Sequence, residues 1–433
     1  MADTGQSWGN YPRVSQQVRD LDKAEWPTNE STAHVLPRGN GRSYGDSCQL
    51  PDGTLLRTRF LDRFLNFDPA SGVMECEAGV LLADINQIAV PQGWFLPATP
   101  GTKFASVGGA IGNDVHGKNH HVFGSFGHHV LQMTLCRSDG TTSELSPSDP
   151  YFHATVGGLG MTGLITKATI QLRRIASPWM RTESIKFDNL DEFYSLSAAS
   201  AANYEYTVAW IDCLAPDSHR GRGHFLRSDH CAGQIDFALP KPNKRNFPFT
   251  PPISAVNKLT LAPFNKFYFH RQRARSVERF EHYDKYFYPL DGIANWNRMY
   301  GPKGFLQHQC VIPPNHSHDA IDEILRQIKK SGNGSFLAVL KEFGDRPSIG
   351  MLSFPRPGTT LALDFPVSSN ALSLLNCLDD VVSEAGGAIY AAKDARMSPP
   401  MFRQSNPRLE EFVQFRDPAI SSGLWKRLME NNS

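Results

Sequence analysis

The chain predicts an α+β fold, and three observations carry that reading. Short β-like runs dominate from His34 to about Arg174 and return between 204 and 367. Helical patterns enter in isolated blocks, without the regular alternation that builds a parallel sheet. No internal repeat links the blocks. The 433 residues allow two to four domains around a well-buried core. Gly and Pro number 35 and 30, above average but short of a low-complexity chain. With 44 basic and 43 acidic side chains, a whole-chain nucleic-acid binder is not expected.

Residues 1–30 are polar and read as peripheral. The stretch 73–77 (VMECE) alternates in period two and runs into Ala78-Gly79, as a strand entering a turn does. Leu81, Leu82, Ile85, Ile88 and Ala89 then share one face of a short helix stopped by Pro91 and Gly93. Segment 131–145 reads as a hairpin around Asp139-Gly140, and 164–175 as a β-branched strand. Composition shifts near Ser177-Pro178. Beyond it, strands are expected at 204–213, 304–313, 335–344 and 359–367. Helices are expected at 319–330 and 371–384, the second ended by Gly386-Gly387.

Seven widely spaced cysteines with no Cys-x-x-Cys pair read as thiols in a reducing compartment rather than a disulfide frame or zinc site. The N-terminus lacks a signal-peptide pattern, and no run approaches the ~18 apolar residues of a membrane span. The expected location is cytoplasmic, with peripheral contact at the inner face of the cell membrane. Residues 241–280 support such contact: nine basic residues against the single acid Glu278 leave the segment at +8. Phe247, Phe249, Phe264, Phe267, Tyr268 and Phe269 lie among those charges, and Pro248, Pro251 and Pro252 are expected to break up any helix. Basic residues mixed with aromatics suit an anionic lipid surface or a phosphate-bearing ligand. The segment is expected to be mobile at a pocket mouth.

Gly158-x-Gly160-x-x-Gly163 formally matches a dinucleotide fingerprint. That motif needs a preceding strand and a following helix, whereas here a strand follows, so it reads as a tight turn. Two other stretches are more informative. In 35–47 (VLPRGNGRSYGDS), Gly39, Gly41 and Gly45 let backbone amides approach a phosphate closely. In 97–127, seven glycines leave little room for ordinary secondary structure, and a large bound cofactor would explain their order.

These two loops, with VMECEAG before the second and ATVGGLGMTGLI after it, resemble the FAD-binding domain of the vanillyl-alcohol oxidase family. The wording GNGRSYGD, HGKNHH and GSFG is similar to the branch of that family acting on polyprenylphosphoryl-ribose. The likeness continues through 288–313, 335–344 and 389–396, covers most of 35–410, and fades in the first 30 residues and the basic segment. It implies an FAD-binding domain over 1–175, a substrate domain on an antiparallel sheet over 176–387, and a segment 388–433 returning to the FAD domain.

The resemblance implies cofactor contacts from Arg38, Gly39, Asn40, Gly41, Arg42, Ser43 and Tyr44 in the first loop. It implies others from Gly101, Ser106, Val107, Gly108, Gly109, Asn113, Asp114 and His116 in the second, and from Ile165 and Tyr390. Relatives with covalent FAD use a first-loop histidine where this chain has Arg42, which cannot be flavinylated, so FAD is expected to be non-covalent. The implied reaction oxidises the 2′-hydroxyl of a polyprenylphosphoryl-β-D-ribose, and an NADH-dependent short-chain reductase completes epimerisation to arabinose. Lys393 matches the family's active-site lysine, and the resemblance leaves open whether Lys393, His116 or Tyr44 takes the proton. Lys118, Trp210, Gln307, Gln309 and Lys341 match the substrate pocket, and Thr360 stands in that pocket in place of another polar residue, so the sugar contacts there are expected to differ. Mycobacterial relatives carry a cysteine at the position of Ala362, so that thiol is not needed for the redox step. No metal is expected, because His116, His120 and His121 have no nearby carboxylate or cysteine partners. An aldonolactone or sugar-alcohol oxidase of the same superfamily is the alternative, and a non-enzymatic membrane adaptor the rival from another class.

Overall fold

Alternating side chains make the first large sheet. In Val73–Glu77, Met74 and Cys76 point inward to meet Met133, Leu135, Ala168 and Ile170 from neighbouring strands. The sheet is antiparallel, in the order Phe64–Asp68, Val73–Glu77, Leu164–Gln171, Val130–Cys136, Thr142–Leu145. Helix Leu82–Ala89 covers its inner face as expected, and a 3-10 turn Val90–Gln92 ends at Gly93 with φ +79°. A smaller parallel sheet orders Gln17–Asp20, Thr54–Arg57 and Val35–Arg38, and the last of these delivers the first glycine loop. The computed structural model describes residues 4–27, 34–233 and 245–430.

The second large sheet is antiparallel throughout. Its eight strands run Ser276–His282, Trp179–Asn189, Gly221–His230, Tyr206–Ile211, Val339–Phe343, Gly358–Pro366, Phe305–Ile312, Ala388–Ile389. Helices Leu190–Ala201, Ser317–Ser331 and Ser369–Glu384 pack one face, where Phe187, Phe225, Cys310, Leu361 and Leu363 are buried. The other face looks toward the two glycine loops.

Several expectations change. Residues 4–27 are only partly peripheral: Gln17–Asp20 is a mostly exposed edge strand of a sheet, and Trp8 packs edge-on against Trp296. Residues 1–3 and 28–30 lie outside the described residues. The strand expected over 335–344 is confined to Val339–Phe343, because side chains hold the lead-in: Cys213 Sγ accepts from Ser335 N and Trp210 Nε1 donates to Phe336 O. The basic segment contains a 13-residue helix, Lys258–His270, which begins after Pro248, Pro251 and Pro252, where Asn257 accepts from Leu259 N, and which carries Pro263 within it. Residues 241–244 of that segment lie outside the described residues. The second glycine loop also holds a short helix, Val107–Gly112.

Residues 399–430 fold back across the molecule. Phe402, Phe412, Leu424 and Trp425 join the same core as Val35, Leu36 and Leu55, and Ser421 N donates to Val35 O at 3.1 Å. Among the described residues all seven cysteines are free thiols, and no helix is long and apolar enough to cross a membrane.

Candidate active site

A cavity of about 1400 Å³ lies between the two glycine loops and the open face of the eight-stranded sheet. It exceeds the ~300–1,000 Å³ of an ordinary small-ligand pocket, leaving room for a dinucleotide and a second molecule.

The loops form one wall by packing on each other. Asn40 Nδ2 donates to Phe104 O at 2.7 Å, and a Cβ on Gly39 would collide with Ser106 Oγ. Gly41 adopts φ +60° directly beside the Arg38 guanidinium, a conformation and an approach that only glycine allows at low cost. Arg42 donates to Asn40 O at 2.8 Å, with its guanidinium 4.6 Å from the Trp8 ring. In the second loop, Ser106 Oγ accepts from Gly109 N, while Gly108 N donates to Ala78 O at the end of the first sheet. Toward the cavity this wall is bare. A Cβ at Gly101 would meet nothing within 4 Å, one at Gly109 only Ser106 Oγ, and one at Gly112 only Gly160 N at 3.5 Å. Such a smooth, glycine-lined cradle fits a flat dinucleotide.

Most of the expected cofactor residues line this cavity: Arg38 through Tyr44, Gly101, Ser106, Gly108, Gly109, Asn113, His116, Ile165 and Tyr390. Val107 and Asp114 do not. Val107 is buried behind the loop with its N–H bonded to Val80 O. Asp114, fully buried at φ +41°, accepts from Ser125 Oγ, Gly127 N and Ser353 Oγ at 2.9, 2.9 and 2.6 Å, so it braces the loop from behind. The formal fingerprint turns out to be the turn between helix Pro150–Thr155 and strand Leu164–Gln171, and its Gly160 and Gly163 touch the same cavity.

The sheet supplies the opposite wall through its period of two. Gln307 stands opposite Asp364, Gln309 opposite Ala362, and Lys341 opposite Thr360, so these side chains share one face while His308 and Cys310 point away. All these cavity-face residues, with Trp210, Lys118 and Lys393, line the cavity. Gln309 Nε2 lies 2.9 Å from His116 Nε2 and 3.3 Å from Thr360 Oγ1. Lys393 Nζ sits 3.7 Å from the Tyr44 ring centroid, and Lys118 donates to Tyr286 O with its ammonium over that ring. Lys341 donates to Gly117 O at 3.4 Å, and Tyr390 OH donates to Asn113 O at 2.7 Å.

Sequence reasoning missed Asp364, which accepts from Gln307 Nε2 and, at 3.5 Å, from Tyr300 OH. Its spacing from Thr360 and Ala362 was the available signal. Trp8, at the Arg42 side of the cradle, was also missed. Of the three histidines, His121 turns away, its Nε2 meeting Tyr204 O at 3.0 Å, while His116 and His120 both pack on Phe343. Among the described residues no group of His, Cys, Asp or Glu could hold a metal ion.

Burial sets the protonation of the cavity. It pushes Lys118 down to about 7 with help from Lys341, and Lys341 itself to about 8. Lys393 is lowered by burial against the opposing pull of Asp364, whose own carboxyl is raised by burial. His116 falls well below its ordinary value through burial and then Lys341, and burial followed by Asp364 raises Tyr44. Near neutral pH, Lys118 and the Lys393–Asp364 pair are therefore the groups closest to titrating in the cavity.

The first loop and the lysine turn are joined. Tyr44 N donates to Ala392 O at 3.1 Å. Arg427 clamps both buried carboxylates behind them, donating to Asp46 Oδ2 at 2.8 Å and to Asp394 Oδ2 at 2.9 Å.

A bare dinucleotide cradle facing a lysine-bearing sheet defines an FAD-dependent oxidoreductase, and a family described as the FAD binding domain matches residues 17–146. Over 414 residues the chain is 35% identical to the decaprenylphosphoryl-β-D-ribose oxidase of Mycolicibacterium smegmatis, covering 91% of this chain and 89% of that one. It is 30% identical over 367 residues to an uncharacterized protein of Streptomyces coelicolor, covering 81% and 100%. Likeness to the D-lactate dehydrogenase of Archaeoglobus fulgidus is 31% over 169 residues, 37% of each chain. The chain belongs to the decaprenylphosphoryl-β-D-ribose oxidase family of FAD-dependent oxidoreductases.

Proposed function

We propose that this enzyme oxidises the 2′-hydroxyl of a polyprenylphosphoryl-β-D-ribose to the 2′-keto sugar, the first half of epimerisation to the arabinose lipid. The observation that carries this reading is the convergence of Lys118, Lys341 and Lys393 with Gln307 and Gln309 in one cavity beside the cradle. FAD, when bound, supplies the acceptor for the hydride that leaves the sugar carbon. Neutral Lys393 takes the hydroxyl proton at Nζ as the C=O bond forms. Gln307, Gln309 and Thr360 orient the sugar hydroxyls, and Lys118 and Lys341 face the phosphate. Buried Tyr44 keeps its proton and supports Lys393 with its ring face. A keto product needs a later hydride donor, the role of an NADH-dependent short-chain reductase.

Non-covalent attachment is supported by Arg42 at the first-loop position and by the state of Cys48. This cavity-lining thiol is raised by burial and donates to Ser43 O and Gly45 O. Contact with the inner face of a membrane is supported by Leu259, Ile253 and Phe267, exposed at 87, 77 and 69% among the arginines of the basic segment. Changing Arg271, Arg273 and Arg275 to Gln is expected to lower partition onto anionic vesicles by about tenfold or more at low salt, each basic residue contributing ~1 kcal/mol. The difference should fade as salt rises. Unchanged partition removes the membrane contact.

The activity is tested by anaerobic titration with a short-chain polyprenylphosphoryl ribose. Bleaching of the flavin and a product lighter by two hydrogens are expected, with free flavin released on acid denaturation. Bleaching by aldonolactones or free sugars but not by the lipid assigns the soluble-oxidase alternative instead.

A further inference from the structure

The cavity does not end at Lys341. Its floor continues along the same sheet face across Trp210, then Leu226, then Ser184, to Val277 and Arg279 on the edge strand Ser276–His282. Even-numbered residues of the three intervening strands point here, while Ala209, Phe225 and Phe187 pack the opposite core. Four strand spacings of ~4.8 Å carry this floor about 19 Å from the Lys341 strand to the edge. Helix Lys258–His270 roofs it, with the Tyr268 ring 4.5 Å from Trp210 and Phe269 5.6 Å from His224.

The arm has a polarity along its length. Its floor is largely apolar, through Val208, Trp210, Leu226, Val277 and Val339. At its mouth stand Arg271, Arg273, Arg279 and Lys285, with Glu281 at 3.8 Å from Lys285. Arg279 Nε is buried and makes no hydrogen bond among the described residues. At its inner end are Lys118 and Lys341. A long apolar chain with a single anionic head complements that order, with the head beside the lysines and the tail leaving past the basic rim. Neither the cradle nor the Lys393 turn uses this space.

We propose that this arm seats the first isoprene units of the lipid substrate, with its phosphate between Lys118 and Lys341 and its chain leaving past Val277. The inference rests on the polyprenyl-phosphate reading above and adds the path of the lipid. Each buried methylene adds binding until the chain passes the edge strand, so affinity climbs with chain length and then levels.

The test uses sugar-free probes on the FAD-loaded enzyme: dimethylallyl, geranyl and farnesyl monophosphate below their micelle concentrations, followed by calorimetry. Affinity is expected to rise at least about tenfold from the five-carbon to the fifteen-carbon phosphate. Leu226→Asn and Val277→Asn are each expected to flatten that rise while the five-carbon phosphate binds as before. Val277 is 38% exposed, so its variant tests the arm without disturbing the core. A flat series in the natural protein, or a rise untouched by both variants, overturns the seat. A flat series with continued oxidation of the ribosyl lipid leaves the activity standing. The reverse pattern, a rise without oxidation, keeps the seat and removes the activity.

Discussion

Replacing Lys393 with methionine is expected to slow substrate bleaching of the flavin by about 10²–10⁴-fold, the usual contribution of a positioned proton acceptor. Methionine fills comparable volume without the amine, so the loss is chemical, and the variant should still purify with FAD. The pH dependence separates this from a packing effect. Lys393 accepts a proton only when neutral, so the natural enzyme should speed up as pH rises through its burial-lowered value and level off above it. That rise is absent from the variant. Lys393→Arg should fail similarly, because a guanidinium stays charged and cannot accept the proton. Near-normal bleaching with an intact pH rise would move the base elsewhere. Tyr44 and His116 are poorer candidates, since burial keeps the phenol protonated and makes the imidazole a weak base.

Gly112→Leu is expected to abolish most FAD binding without unfolding the protein. Gly112 is buried, yet its missing Cβ would meet only Gly160 N, at an ordinary 3.5 Å, because the space beyond belongs to the cavity. Leucine suits the end of helix Val107–Gly112 better than glycine by up to ~1 kcal/mol, so the FAD-free protein should melt at or slightly above its normal temperature. The side chain then occupies the cofactor's place, and affinity should fall about ten- to hundredfold, matching the ~1–3 kcal/mol of an overpacked site. Flavin content after purification and the melting shift on added FAD measure both halves. Gly39→Ala supplies the contrast: its methyl collides with Ser106 Oγ, so the FAD-free protein itself should lose stability. Full flavin content in Gly112→Leu would place the dinucleotide somewhere else.

The cradle was legible because its signal is local. Gly39, Gly41, Gly101 and Gly109 stand where chain meets chain or cavity, and their density marks both loops without knowledge of the fold. The residue-by-residue assignment within the second loop was less secure. Asp114 and Val107 sit among true wall residues in sequence, yet the helix and the turn after it rotate them backward into the brace and the core. Alternation placed Gln307 and Gln309 on one face of their strand. The same alternation contained Asp364, but a lone carboxylate in LALDFP has no local reason to matter until Gln307 and Tyr300 are found beside it. Strands Trp179–Asn189, Gly221–His230 and Ser276–His282 escaped notice because charges and core residues share one face: Arg181 and Glu183 alternate in step with Phe187, and Arg227 with Phe225, so no clean polar-apolar alternation marks them. Helix Lys258–His270 was hidden by the prolines before its cap and by Pro263 within it.

Sequence alone marked what short-range geometry dictates: the glycines that line the cavity, and the shared side on which Gln307 and Gln309 emerge. Only tertiary packing brought Lys393 to Tyr44, Gln309 to His116 and Arg427 to both Asp46 and Asp394, across separations no periodicity records. It also decided the chemistry of those groups. A lysine in water stays charged at neutral pH, and enclosure between the glycine loops and the eight-stranded sheet lowers the cost of losing that charge, which the proposed role of Lys393 requires.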